Sequence, residues 1–377
     1  MPSRRVRVAV VGLGAMGSMA LWRLARRGVS CAGFEQFEPG HDLGSSHGDT
    51  RIFRTAYFEA PVYVPLLLDA LPLWRELEVE SGASLLTLTG ALMIGHAEGR
   101  IVTGTLRSVR EHGLEHEVLS AGEMARRHPQ HVLESEEVGV WEPRAGFVRP
   151  EASVSAAARR AEQLGAELVT GTKVEALEPS GSGLRIVTAA GDWEAERVII
   201  SSGAWVGRFA PELPLQPERV VQTWFAVDHP DSFAPGRFPV FIHDLGRSTR
   251  YGIPSTDGAT IKVAGHGGGG PADPDHLDRT PRPEDWTGTR EFVAQRLRGV
   301  TPEPARAKVC MYTNSPDEHF VLGPHPDLEG ALVVSACSGH GFKFAPVLGE
   351  VAVRLSLGEE VPYDLDTFSL RRLAGIS

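Results

Sequence analysis

The pattern of apolar and polar residues changes character several times along the chain. Val6 to Val11 is an unbroken valine-rich run, as in a strand buried on both faces. Gly12-Leu13-Gly14-Ala15-Met16-Gly17 follows, then an amphipathic stretch, Ser18 to Arg27, that stops at Gly28, as a helix C-terminus does. Val29 to Phe34 predicts a second strand, closed by Glu35. Between 61 and 80, Leu66, Leu67, Ala70, Leu73, Trp74 and Leu77 share one helical face. Pro72 lies inside that pattern and argues against a single unbroken helix. Leu85 to Ile94 reads as one strand that begins a different region.

Farther along, Ser153 to Leu164 is alanine-rich and helical, and AELVTGTKVEAL predicts a strand pair or a strand and turn. Leu184 to Thr188, a turn at Gly191 and a strand from Val198 to Ser201 come next. Residues 219 to 263 alternate as antiparallel strands do. Gly265 to Trp286 is rich in glycine, proline and aspartate and predicts an irregular exposed loop. A short helix over 290–298 and a buried strand, Ala331 to Ser335, precede a final glycine loop and helix. A strand–glycine–helix unit thus stands at each end, with antiparallel material between. That order predicts a nucleotide domain built from separated pieces, with a sheet domain inserted.

Composition narrows the function classes. The 377 residues exceed one ordinary core, so two domains are expected. A formal net charge of −10 argues against a nucleic-acid backbone or an anionic membrane as partner. Cys31, Cys310 and Cys337 cannot all pair, and no Cys-x-x-Cys exists, which fits a reducing cytoplasm and offers no zinc ribbon or other metal site. The basic N-terminus before an apolar run mimics a signal peptide, but the run from Val8 to Trp22 holds three glycines and is too short to span a bilayer. We read it as the nucleotide motif, with no targeting or membrane segment.

In that motif, Gly12, Gly14 and Gly17 permit a tight turn and close approach of a pyrophosphate to a helix N-terminus, and Glu35 can accept from ribose hydroxyls. The motif alone does not separate FAD from NAD. Arg51 and Arg54, in GSSHGDTRIFRTAY, have the fork geometry for a carboxylate or phosphate; their spacing equally suits an exposed basic face or a structural ion pair. Lys262, in ATIKVAGH, is either an edge-strand residue or a buried functional ammonium, and His266 is similarly open. In SGHGFKFAP, glycines surround His340 and Lys343, a loop that can offer N–H groups to a ligand or simply turn the chain.

Together, GLGAMGS, SSHGDTRIFRTAY, YGIPSTDGATIKVAGH, CMYTNSPDEHF and SGHGFKF are similar to stretches of the monomeric sarcosine oxidase and N-methyltryptophan oxidase family, in the same order and over nearly the whole chain. The resemblance implies a mixed α/β fold: a glutathione-reductase-like FAD-binding domain with an inserted mixed, largely antiparallel substrate domain. Residues 1–85, 146–216 and 311–377 would form the first, and 86–145 and 217–310 the second. FAD would be attached covalently through Cys310, with Gly12, Gly14, Gly17, Glu35, His47, Gly339 and Gly341 as further cofactor contacts. Arg54 and Lys343 would bind the substrate carboxylate; Arg51 and Lys262 would be cations near the flavin ring, Lys262 serving the reaction with oxygen; Tyr251 and His266 would flank the substrate. Cys31 and Cys337 are read as packed thiols. Two departures stand out: a glycine-rich loop after His266 where a bulkier, aromatic one is usual, and Gly323 in place of a common aspartate.

The implied activity is oxidation of an N-methyl amino acid such as sarcosine by O2, giving the demethylated amino acid, formaldehyde and peroxide. The implied setting is a cytoplasmic monomer acting on a small molecule, without nucleic acid or membrane. A cyclic imino-acid oxidase of pipecolate or proline type, or a biosynthetic N-demethylase, is the alternative. A nicotinamide dehydrogenase leaves the cysteine and C-terminal motifs without a role. A flavin-binding subunit without turnover does not call for Arg51, Arg54, Lys262 and Lys343 together.

Overall fold

The computed structural model describes residues 4–181 and 183–373; the outermost ends of the expected first domain lie outside this range. Arg4–Val11, the helix Ala15–Arg26 and Cys31–Phe34 form at the N-terminus as the pattern predicts. Alternation within the first strand feeds two cores. Val8 and Val10 face the layer of helices Ala15–Arg26, Val64–Ser81 and Ala345–Leu357, while Val6, Ala9 and Val11 face the opposite side of the sheet.

The first sheet runs Val174–Ser180, Gly183–Thr188, Trp193–Ile200, Arg4–Val11, Cys31–Phe34, Glu167–Val169. Trp193–Ile200 is its branch point. One edge lies parallel to the first strand along its length; the other pairs antiparallel with Leu184–Ile186 and then parallel with Ala331–Val333. Val321–Pro324 extends that second branch. The second sheet runs Val300–Asn314, Gln216–Val227, Thr260–Gly265, Thr249–Ile253, Val240–Asp244, Ala91–His96, Glu137–Glu142, Glu117–Ser120. Its only parallel pair among the described strands is Val240–Asp244 with Ala91–His96. A third, small sheet of Arg51–Phe53, Gly146–Val148 and Leu86–Leu88 lies between the two in sequence.

Two expectations need correction. Leu85 to Ile94 is two strands, Leu86–Leu88 and Ala91–His96. The N–H groups of Thr89 and Gly90 both donate to Ala145 O at 2.9 Å, and Gly90 (φ +72°) turns the chain there. Val64–Ser81 is one helix despite Pro72. Burial of Leu67, Ala70, Trp74 and Leu77, and a bond from the Trp74 indole to Lys343 O at 3.0 Å, outweigh the lost backbone hydrogen bond. The segment from Gly265 to Trp286 is irregular and largely exposed, as expected, and side-chain contacts tie it down. Gly269 N donates to Glu218 Oε1 (2.7 Å), Trp205 Nε1 to Asp275 (2.8 Å), Arg279 to Leu43 O (2.5 Å) and Arg219 to both oxygens of Asp285. The helices Arg100–His112 and Ala121–Arg127 were not anticipated. No helix among the described residues is long and apolar enough to cross a membrane.

Candidate active site

A long groove opens at the C-terminal ends of the parallel strands in the first sheet, where crossover topology leaves a crevice. It is bounded by Gly12, Gly14, Glu35, Arg51, Gly339 and Gly341 and encloses about 1330 Å³, its open mouth included. Gly12 (φ +90°) makes the tight turn, and a Cβ there would stand 2.7 Å from Ser202 Cα, so no other residue fits. Gly17 packs the helix against that turn. Glu35 Oε2 accepts from Leu13 N at 2.9 Å and Oε1 from Phe37 N at 3.1 Å, which holds the carboxylate on the groove wall with lone pairs to spare.

The helix Ala15–Arg26 starts at Gly14 with no side-chain cap. Ala15 N reaches Ser46 Oγ at 3.3 Å; otherwise the first turn presents its N–H groups and positive dipole end toward the groove. His47 is fully buried, and neither ring nitrogen has a partner among the described residues. Burial, then Arg51, Lys308 and Lys262, push its imidazole down to about 3, so it stays neutral. A glycine turn, an open helix start and a carboxylate held on the groove wall together fit a dinucleotide.

At the groove wall and just behind it stand two cationic clusters. In the first, Arg51 donates to Ser45 O and Thr50 O, both at 2.9 Å, to Gln222 Oε1 at 3.3 Å, and approaches Cys310 Sγ at 3.6 Å. Lys262 is buried and donates to Gly48 O and Thr50 O, each at 2.9 Å. Burial, then the like charge of Arg51, hold its ammonium well below the ordinary lysine value. Cys310 lies on Val300–Asn314, buried just behind the groove wall that Met311 and Tyr312 form.

In the second cluster, Arg54 Nη2 lies 2.5 and 2.6 Å from the two carboxylate oxygens of Glu59. The guanidinium rests 3.9 Å above the Tyr57 ring, which Lys343 Nζ also meets, at 5.3 Å. Lys343 Nζ donates to His340 O at 2.6 Å, and the Tyr57 hydroxyl lies 2.5 Å from His340 Nδ1. Burial first, then Arg54, bring Lys343 down to about 7. Burial pushes the Glu59 carboxyl up, but Arg54, with His340 and Lys343, outweighs it and holds it below the usual range. His266 feels Glu59, Lys343 and Arg54 and packs 5.5 Å from the Tyr312 ring. Tyr251, pushed up to about 12 mainly by burial, is close to Arg51, Cys310 and Tyr312 and so stands between the clusters.

The structure thus gathers Arg51, Lys262 and Cys310 in one place and Arg54, Lys343 and His266 in another. Sequence reasoning missed Glu59, Tyr57 and Tyr312, although all three lie within or just beyond the quoted motif stretches. Glu59 stands five residues after Arg54, and that spacing of opposite charges was the available signal. The helix Arg100–His112 supports Tyr57 to Glu59: Ser108 Oγ donates to Tyr57 O at 2.5 Å, and Gly104 lets the Phe58 backbone approach. Of the other cysteines, Cys31 is buried and pushed up to about 12, while Cys337 borders the groove with its thiol 3.4 Å from His319 O.

The FAD dependent oxidoreductase (DAO) family pattern matches residues 7–355. The chain is 39% identical over 375 residues to the monomeric sarcosine oxidase of Streptomyces avermitilis, covering 97% of each protein. It is 33% identical over 373 residues to the N-methyl-L-tryptophan oxidase of Salmonella enteritidis, covering 97% of this chain and 98% of that one. Glycine oxidase from Geobacillus kaustophilus has the same fold, with a TM-score of 0.83 over 98% of this chain and 99% of that one at 22% identity. The resemblance read from the motifs therefore holds along the whole chain, FAD is the cofactor the groove serves, and the protein belongs to the FAD dependent oxidoreductase family as a relative of the sarcosine and N-methyl-L-tryptophan oxidases.

Proposed function

We propose that this protein oxidises small N-methyl amino acids such as sarcosine with O2, releasing the demethylated amino acid, formaldehyde and hydrogen peroxide. The observation that carries this reading is the pairing of buried Arg54 with partly buried Glu59, in which a guanidinium next to the dinucleotide groove already holds a carboxylate. A substrate carboxylate has the same charge and shape as the Glu59 head group. If it takes that place, one charge-assisted pair is exchanged for another while the substrate becomes fixed in orientation. Lys343, on the same tyrosine face, supplies the second cation. FAD, when bound, supplies the electron acceptor and passes the electrons on to O2.

The chain's own residues do the rest. Arg54 and Lys343 aim the N-methyl end of the substrate by holding its other end. Tyr251, His266 and Tyr312 flank the substrate. Arg51 and Lys262 provide fixed positive charge that favours reduction of O2. The imine product is hydrolysed by water. We further propose that Cys310 carries the FAD, since its sulfur neighbours Arg51 on the groove wall. In this reading the two large sheets are the cores of the FAD and substrate domains, and the protein works as a cytoplasmic monomer.

Peroxide release from a panel of amines tests the proposal. Sarcosine and N-methylalanine are expected to react, with dimethylamine and sarcosine amide nearly inert. Efficient oxidation of the uncharged amines would overturn the carboxylate clamp, and preference for pipecolate over every N-methyl acid would move the assignment to a cyclic imino acid. Flavin colour should stay with the denatured chain and be lost to the supernatant in Cys310→Ser; loss in Cys337→Ser instead would overturn the attachment site.

A further inference from the structure

The two carbonyls that hold Lys262 belong to Gly48 and Thr50, and the residue between them, Asp49, has φ +67°. A left-handed conformation is uncommon for any residue with a side chain, and it persists only where neighbours over-determine it. Two contacts do so here. From one side, Glu151 Oε1 accepts from Gly48 N at 2.5 Å and from Asp49 N at 3.2 Å. From the other, the Asp49 carboxylate pairs with Arg306, both side chains being about half exposed.

Arg306 is itself placed by the sheet. Trp224 is register partner to Lys262 on one neighbouring strand and to Arg306 on the other, so the three form one row across Thr260–Gly265, Gln216–Val227 and Val300–Asn314. The Arg306 guanidinium lies 3.8 Å from the Trp224 ring centre, and Lys262 Nζ lies 5.3 Å from it. The buried indole thus has a surface arginine and a buried lysine as partners, and the arginine also grips the backbone turn that the lysine donates to. Each part fixes the next: Arg306 holds Asp49, Asp49 sets the directions of its flanking carbonyls, and those carbonyls hold the ammonium.

We propose that Arg306, acting through Asp49 and Trp224, is a positioning residue for the Lys262 ammonium. Its consequence for turnover rests on the reading of Lys262 as the fixed charge of the flavin site; its consequence for the lysine itself does not. The groups that otherwise act on Lys262 are Arg51, Cys310 and Glu151, and none of them is altered by changing Arg306.

The chain contains four lysines, which makes the test direct. In holoenzyme carrying 13Cε-labelled lysine, Lys262→Met identifies the signal of interest, and its titration is then followed in Arg306→Ala. Loosening the turn weakens the two carbonyls' stabilisation of the ammonium and is expected to move the Lys262 midpoint further below the ordinary lysine value. Reoxidation by O2 is expected to slow roughly fivefold to tenfold, with anaerobic reduction by sarcosine changed less than about twofold. Asp49→Gly keeps the left-handed turn accessible while removing the carboxylate, and should shift the same signal in the same direction even if Arg306→Ala does not fold. An unchanged Lys262 signal and midpoint in the variants that fold would overturn the proposal. Lys262→Met with normal reoxidation would instead overturn the role given to Lys262, and the lysine titration would still decide whether Arg306 positions it.

Discussion

Lys262 and Arg54 are both buried cations beside one groove, yet they are satisfied in opposite ways. Lys262 donates to two backbone carbonyls, neutral acceptors fixed by the turn at Asp49. Arg54 is paired with Glu59, a full negative charge on a side chain that can rotate away. Carbonyl dipoles stabilise an ammonium without cancelling it, so the charge at Lys262 can act on whatever negative charge develops nearby. A carboxylate partner cancels the charge at Arg54 until another anion takes its place. In the proposed function, one cluster keeps a charge available and the other exchanges anions. The choice of residue follows the same division: in a chain with 34 arginines and four lysines, the cation held by carbonyls is a compact ammonium, and the one held by a carboxylate is a planar fork.

The contrast can be broken one cluster at a time. Arg54→Ala removes both charge-assisted contacts to a substrate carboxylate, each contributing about 1.5–3 kcal/mol, so kcat/KM for sarcosine should fall by roughly 10²- to 10⁴-fold. Neutral amines should change little, which brings the two groups of substrates closer together. Steady-state rates of peroxide formation check this, and equal losses for acids and neutral amines would show general damage. Lys262→Met should do the converse in stopped-flow experiments. Reoxidation should slow about a hundredfold, corresponding to about 3 kcal/mol, while anaerobic reduction stays within a few-fold. Equal slowing of both half-reactions would merge the two clusters into one.

What could be read beforehand divides along the same line. The strand, glycine turn and helix at residues 4–26 follow from local rules, and so does Glu35 at the end of the next strand. Arg54 and Lys343 were named from motif resemblance, and the structure places them on one tyrosine ring although 289 positions separate them, which spacing could not have shown. Glu59 was missed because its role depends on the folded position of Arg54; in the sequence it is one acid among 48 acidic residues. The split of Leu85 to Ile94 was equally hidden, since its cause is Ala145 O, more than fifty residues away. The continuity of the helix through Pro72 depends on tertiary packing that a periodicity argument cannot weigh.

Glu59→Gln sharpens the comparison by making Arg54 resemble Lys262, a cation with only neutral partners. The free protein then holds a buried guanidinium without its counter-charge, and an incoming carboxylate no longer displaces an anion. Methoxyacetate, a carboxylate without an amine, should therefore bind about tenfold more tightly, with the gain reporting how strongly Glu59 competes. Flavin absorbance during ligand titration measures it. Unchanged affinity would mean that Glu59 stays in place when ligand binds, and that the carboxylate seat lies elsewhere.

The smallest expected effect is one of pH, and it isolates the second cation of the anion-exchanging cluster. Burial and Arg54 bring Lys343 down to about 7, so in the free protein it is an ammonium below that pH and a neutral amine above it. A bound carboxylate favours the ammonium and raises its pKa. Affinity for methoxyacetate should therefore be flat at low pH and decline as pH rises through 7, levelling off only at the higher pKa of the complex. For a midpoint near 7, affinity should weaken by roughly fivefold between pH 7 and pH 8. The neighbouring groups do not confuse this window. Glu59, His266 and His340 are held below their ordinary values, and Tyr57, Tyr251 and Tyr312 above theirs, while the ligand carboxyl is ionised throughout. Lys343→Met should bind more weakly and abolish the slope, whereas Lys262→Met should keep it, because Lys262 is held by carbonyls in the other cluster. A slope that survives in Lys343→Met and vanishes in Lys262→Met would reverse the assignment of the two lysines.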